Sequence, residues 1–204
     1  GALREDGYHL SGGGVSSGGT HLSPKLTIGI TPIRGIEFYG TYAQGYHAPS
    51  VLEKSINVAQ ARLSGVELET GYDWGAGFAT FEGSTIDGKN LETGTSLATV
   101  PPYRASATLG FRFLDDHSLV AGVRFTAVGA SPKNVPTATD GGGPLPTRGY
   151  GLVDLFASYA CNNRVSANFS VNNLLNKEYT QFLNIEPNPG ITVKAGLTIK
   201  FAEK

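Results

Sequence analysis

The 204-residue sequence contains no methionine, a single cysteine, Cys161, and a single tryptophan, Trp74. One cysteine excludes an internal disulfide and any metal site built on several thiolates within the chain. A chain that opens Gly1-Ala2-Leu3 and has no methionine anywhere reads as a processed, excised or incomplete sequence. Charge is scarce and balanced: 16 Lys and Arg stand against 17 Asp and Glu, with no basic run. That excludes a nucleic-acid partner held by phosphate neutralisation. Long apolar runs are missing too. The longest, counting glycine, is the six residues Trp74–Ala79, against the roughly twenty that a transmembrane helix needs. A helical membrane protein is thereby excluded. A membrane barrel is not, because its apolar residues alternate with polar ones.

Glycine, by contrast, is abundant at 28 residues, roughly double average usage. The dominant pattern is alternation with a period of two. From Arg104 to Phe113 one face reads Ala105, Ala107, Leu109, Phe111, Phe113 and the other Arg104, Ser106, Thr108, Gly110, Arg112. Such a segment is a strand with one greasy and one wet face. The split recurs over 165–172 and 192–201, and Val66, Leu68, Tyr72 and Trp74 oppose Glu67, Glu69 and Asp73. Further strands are expected at about 26–31, 36–46, 77–86, 118–128 and 150–159, with a weaker one at 2–10, making about ten.

The expected connections alternate in length. Those at Pro32–Gly35, Gly75–Ala76, Leu114–His117 and Ala160–Asn163 are a few residues long. Those near 11–25, 47–60, 87–103, 129–149 and 174–191 run to a dozen or more. Long loops are uncommon in compact soluble domains, and short turns at one end with long loops at the other are the habit of outer-membrane barrels. Two readings compete. A soluble sandwich packs the apolar faces inside. A membrane barrel turns them to lipid and lines a lumen with the polar set. The aromatics near strand ends, Tyr72, Trp74, Phe111, Phe113, Tyr159 and Phe201, suit an interfacial girdle. The opposite faces, rich in small polar residues and glycine, are unlike a soluble surface.

Three segments resemble one family. Phe38–Ser50 (FYGTYAQGYHAPS) resembles the strand-to-loop segment of TonB-dependent outer-membrane receptors, and Val58–Glu69 (VAQARLSGVELE) is similar to a later strand with its Gly-Val-Glu. Val171–Tyr179 (VNNLLNKEY), with Pro189-Gly190 and a last strand ending at Phe201, resembles the segments that close these barrels. Local chemistry agrees. Pro49 ends strand pairing, Gly65 permits a close approach or a bend, and Asn172-Asn173 are suited to fixing a strand end by side-chain to backbone bonds.

The resemblance implies an all-β fold, an antiparallel transmembrane segment of about ten strands belonging to a larger barrel, of 22 strands in the family. It implies that 1–204 is the C-terminal portion of that barrel, that the plug domain and N-terminal strands are absent, and that the family pattern is broken near 50–57, where an internal deletion is expected and a gap or assembly artefact in the sequence would look the same. It further implies a Gram-negative outer membrane, import of an iron complex powered through a TonB complex that engages the missing N-terminal region, contact with outer-membrane lipid, and no enzymatic activity or permanently bound cofactor. By subfamily the resemblance favours receptors of haem and haem proteins, on Leu152–Tyr159 and the final loop. Haem is then the transported ligand, and a ferric siderophore the alternative.

Iron in haem takes imidazole or phenolate ligands. Counting strands back from a periplasmic C-terminus places His9, His21 and His47 at the extracellular end and His117 in a periplasmic turn. His47, with Tyr46 beside it, and His21 are the candidate ligand-binding residues; the competing reading makes them strand-end and loop polar residues. Gly12–Gly19 lacks the ending of a phosphate loop and reads as a flexible loop. Glu67, Glu69 and Asp73 lack a partner base and read as solvated lumen carboxylates that meet a plug. A ten-stranded outer-membrane protease or passive pore is the rival class; either requires residues 2–10 to pair with 192–201.

Overall fold

A computed structural model describes residues 1–12, 15–47, 61–91, 93–97, 100–131 and 146–201. They form ten strands: β1 (Ala2–Gly12), β2 (Val15–Ile33), β3 (Ile36–His47), β4 (Ala61–Asp73), β5 (Gly77–Asn90), β6 (Arg104–Phe113), β7 (Leu119–Val128), β8 (Tyr150–Ala160), β9 (Val165–Asn172) and β10 (Thr192–Ile199). All ten lie in one antiparallel sheet in chain order, each bonded to its sequence neighbours. The sheet is open: β1 pairs with β2, β10 pairs with β9, and the two edge strands do not meet. The protease and pore readings both needed that closure.

From β3 to β10 the cross-strand register carries the alternation from strand to strand without a slip of face, and the β2–β3 pairing shifts register only between Ile30 and Ile33, next to its turn. Phe111 stands opposite Gly77 and Ala121, Leu109 opposite Ala79 and Val123, and Thr108 opposite Thr80 and Arg124. A one-residue shift would move every apolar side chain to the wrong face. Nothing among the described residues lies over the apolar face. Among the described residues the only buried hydrophobic ones are Ala61 and Val100, whereas Leu26, Ile28, Val66, Leu68, Phe125 and Leu197 are all exposed. A soluble sandwich buries this face against a second layer, so that reading fails. Uncovered apolar residues on one face, with Ser, Thr and Glu on the other, are what a lipid-facing sheet requires.

The girdle is present at the end carrying the short turns. Tyr72, Trp74, Phe111 and Phe113 form a chain of ring contacts with centroids 5.7, 6.0 and 6.5 Å apart. The turns there are tightly made. Gly35 has φ +87°, and a Cβ on it would stand 2.5 Å from the Asp73 carbonyl oxygen, so only glycine fits. In the β6–β7 turn the Asp116 carboxylate accepts the Ser118 backbone N–H at 3.0 Å.

Two expectations about the opposite end need correction. The loop expected near 11–25 is not there: β2 runs from Val15, and β1 and β2 pair in unbroken register from Ala2↔Lys25 to Gly12↔Val15. The Gly12–Gly19 segment, expected as a flexible loop, lies largely within this hairpin. Likewise β5 continues to Asn90, four residues beyond its expected end at 86. In both segments Gly, Ser and other polar residues blur the apolar half of the alternation while the ladder continues. The expected internal deletion near 50–57 lies outside the described residues; β3 and β4 on either side are antiparallel neighbours, paired from Ile36↔Tyr72 to His47↔Ala61.

Candidate functional site on the inner wall and extracellular rim

Polar residues from β3 to β6 share the face opposite the lipid-facing one, and their rows define the inner wall. In one row Thr41, Glu67, Ser84 and Arg104 stand opposite one another in turn, and in the next Tyr39, Glu69, Glu82 and Ser106. These rows enclose a hollow of about 270 Å³. Glu69 and Glu82 are direct cross-strand partners, an arrangement that like charges disfavour, and Ser106 Oγ donates to Glu82 Oε2 at 3.4 Å. Glu67 and Glu69 thus lie together as the sequence suggests. Asp73 does not join them: its carboxylate is taken by Arg112 at the turn end.

Farther round the wall, Arg124 stands opposite Asp154 in register, and its Nε donates to Thr108 Oγ1 at 3.3 Å. Asp154 Oδ1 in turn accepts the backbone N–H of Asn173 at 2.7 Å. Asn173 begins the last long loop. It is 3% exposed, has φ +53°, and its side chain accepts from Lys177 N–H at 2.8 Å while donating to the carbonyls of Lys177 and Pro189 at 2.9 and 3.4 Å. The strand-fixing role expected of Asn172-Asn173 is therefore filled by Asn173. Asn176 repeats the device, with φ +49° and Oδ1 accepting from Ile191 N–H at 3.0 Å.

The candidate ligand residues lie at the end of the sheet opposite the short turns, beyond the β2–β3 ladder that runs from Ile33↔Ile36 up to Lys25↔Ala43. There the imidazole of His21 stacks on the ring of Tyr46, with centroids 3.7 Å apart and planes 17° from parallel. Both residues are half-buried. The stack was not legible in the sequence, where His21 falls in an expected loop; only its placement on a long β2 brings it beside β3. In such a stack the imidazole nitrogens lie at the ring edge, where a ligand approaches from the side, whereas the Tyr46 hydroxyl oxygen is itself buried. His47 pairs through its backbone with Ala61 and His9 with Gly18, both at this end, and His117 sits in the β6–β7 turn at the other.

Comparison with known proteins follows the same lines. Residues 53–174 match the family model described as TonB dependent receptor-like, beta-barrel. The chain is similar to the TonB-dependent heme receptor A of Haemophilus influenzae strain 86-028NP, with 28% identity over 188 residues, covering 84% of this chain and 25% of that protein. The protein of the same name from strain KW20 / Rd is also 28% identical, over 189 residues. The chain therefore spans about a quarter of the length of these curated relatives. Among solved structures, the copper transporter OprC superposes with a TM-score of 0.71 at 19% identity, over 90% of this chain and 32% of that one. The FrpB iron transporter from Neisseria meningitidis superposes at 0.64 and 17% identity, over 98% and 41%. At such identities the likeness is one of fold.

Proposed function

The chain belongs to the family of TonB-dependent receptor-like β-barrels, and from that premise we propose that it forms wall and extracellular loops of a receptor that imports an iron complex, with haem as the cargo. The family is one of outer-membrane receptors and transporters, not enzymes, and the uncovered apolar face of the sheet lies in the outer membrane of a Gram-negative cell. Under this proposal residues 1–204 are the C-terminal portion of the barrel, and the plug and the segment that engages TonB lie outside them. Cargo binds at the extracellular rim and on the plug; force transmitted through TonB rearranges the plug and opens the lumen. The described strands provide a rigid frame for that movement.

The observation that carries the haem reading is the His21–Tyr46 stack at the extracellular end. Imidazole and phenolate are the side chains that haem iron takes as axial ligands, and they lie together on strands rather than on separate loops. Relatives named as heme receptors over 84% of the chain support the same cargo. His47 is the third candidate, one residue beyond Tyr46. The test is to express the complete receptor gene and titrate haemin against a ferric siderophore, following the Soret band and uptake. Haemin binding that weakens in His21→Ala, Tyr46→Phe or His47→Ala is the expected result. A receptor indifferent to haemin that takes up the siderophore overturns the haem assignment, and unchanged haemin uptake in His47→Ala removes that residue from the site.

A further inference from the structure

The two faces of the sheet exchange polarity partway up β3, β4 and β5. Up to the level of Tyr42 and Val66 the lipid-side face is apolar apart from Thr70 and Thr85, and the inner face carries Thr41, Glu67 and Ser84. Immediately above, the former lipid side carries Gln44, Tyr46, Ser64, Arg62, Asp87 and Lys89. Asp87 and Lys89 form an ion pair at 3.9 Å, their side chains 62% and 48% exposed. That face has left the bilayer and stands in water. The inner face changes in the opposite sense, to Ala43, Gly45, Leu63, Gly65, Ile86 and Gly88. Leu63 and Ile86 are 39% and 42% exposed on a wall that is polar below them.

Ala43, Gly45, Leu63, Gly65 and Ile86 line a hollow of about 370 Å³, within the range of small-molecule sites. Its floor is bare backbone at Gly65, where a Cβ would come within 3.1 Å of the Thr85 carbonyl oxygen and 3.3 Å of Ile86 Cγ1. Beside Leu63 the β5–β6 connection packs onto the sheet: Leu97 donates its N–H to the Gly88 carbonyl at 2.9 Å, and Val100, only 7% exposed, lies over Gly88. Lys25 stands on the rim, and among the described residues no carboxylate forms an ion pair with it. Glu67 lies at the lower edge, so an anion is accepted at the rim and refused deeper in.

We propose that this hollow is a cargo subsite for a flat, apolar molecule with an anionic edge: the apolar body rests on Leu63, Ile86 and the glycine floor, and the anion meets Lys25. A porphyrin carrying carboxylates has that chemistry; a hydrophilic chelate does not. The inference rests on the import reading, but it concerns the porphyrin plane and its carboxylates rather than the iron and its axial ligands.

Iron-free protoporphyrin IX separates the two, because it cannot be ligated by His21 or Tyr46. The complete receptor in nanodiscs is titrated with protoporphyrin IX and with its dimethyl ester, by porphyrin fluorescence. Gly45→Phe fills the hollow from a position where a Cβ meets nothing within 4 Å, and it weakens both probes by about tenfold or more. Gly40→Phe, equally unobstructed but on the opposite face of the same strand, leaves both unchanged and reports on folding. Lys25→Gln weakens protoporphyrin IX by about threefold and leaves the ester unaffected. Wild-type affinity for protoporphyrin IX in both Gly45→Phe and Lys25→Gln overturns the subsite, as does failure of the unsubstituted receptor to bind it. If the same receptor still imports haemin, the import reading stands without the subsite; if it imports only a siderophore, the haem reading falls as well.

Discussion

Arg112 on β6 reaches across β5 to grip the carboxylate of Asp73 at the end of β4, Nη1 to Oδ1 at 2.9 Å and Nη2 to Oδ2 at 2.7 Å. Nη1 also donates to the Gly75 carbonyl at 2.8 Å, and the guanidinium carbon lies 5.3 Å from the centroid of Phe78. A planar fork that serves two carboxylate oxygens, a turn carbonyl and a ring face is not replaceable by a point charge. The Arg112→Lys variant therefore loses most of what Arg112→Ala loses, although it keeps the charge. The temperature at which the barrel loses its heat-modifiable mobility on SDS gels is the measurement. A lysine variant indistinguishable from wild type would show that charge alone holds the turn.

Two inner-wall phenylalanines, Phe78 and Phe156, lie over glycines on their neighbouring strands. A Cβ at Gly122 would stand 2.6 Å from Phe156 Cζ and 2.8 Å from the Gly110 Cα, and would also strike the Leu109 carbonyl oxygen. At Gly110 the nearest atoms all belong to the Phe78 ring, which can swing away. Gly122→Ala is thus the more damaging change, costing about 1–3 kcal/mol of overpacking, and Gly110→Ala is milder. Phe78→Leu rescues Gly110→Ala, whereas Phe156→Leu only partly rescues Gly122→Ala, because backbone atoms remain in the way. Urea unfolding of the four variants in micelles checks the order.

The last long loop is organised around Asn173, which combines a left-handed backbone with four hydrogen bonds to strand and loop. Asn173→Ala leaves buried partners unsatisfied and forces a φ that alanine disfavours, a cost of about 2–3 kcal/mol. Asn173→Gly relieves the backbone but not the bonds, and recovers less than half. Limited proteolysis within residues 174–191 reads the result: both variants are cut faster than wild type, alanine fastest.

The contrast between this loop and the β1–β2 hairpin shows what the sequence can transmit. Asn172-Asn173 is legible because its chemistry is local: an amide at a strand end bonds to nearby backbone whatever surrounds it. The β4–β9 strands are legible because lipid on one side and water on the other impose a period of two. Residues 11–25 carry no such imprint, since Gly and Ser on a ladder standing clear of the bilayer look the same as Gly and Ser in a loop. The His21–Tyr46 contact depends on that ladder, so it too stays hidden. The polarity exchange at Ala43, Gly65 and Ile86 is visible only once register says which residues share a face.

That exchange fixes where the bilayer stops, and β4 tests it within one strand. Leu68 and Ser64 occupy the same face, four residues apart, with Leu68 45% exposed among apolar neighbours and Ser64 opposite Asp87 and Gln44. If the boundary lies between them, a cation is costly at the lower position and tolerated at the upper. Leu68→Lys is expected to destabilise the barrel by about 2–4 kcal/mol, and Ser64→Lys by no more than about 1 kcal/mol. Unfolding in lipid vesicles measures both, and a cysteine at each position, probed with a membrane-impermeant maleimide on whole cells, gives an independent reading: Ser64→Cys is labelled and Leu68→Cys is not. Equal costs, or equal labelling, would place both residues on the same side of the interface and remove the physical reason for an apolar inner wall at that height.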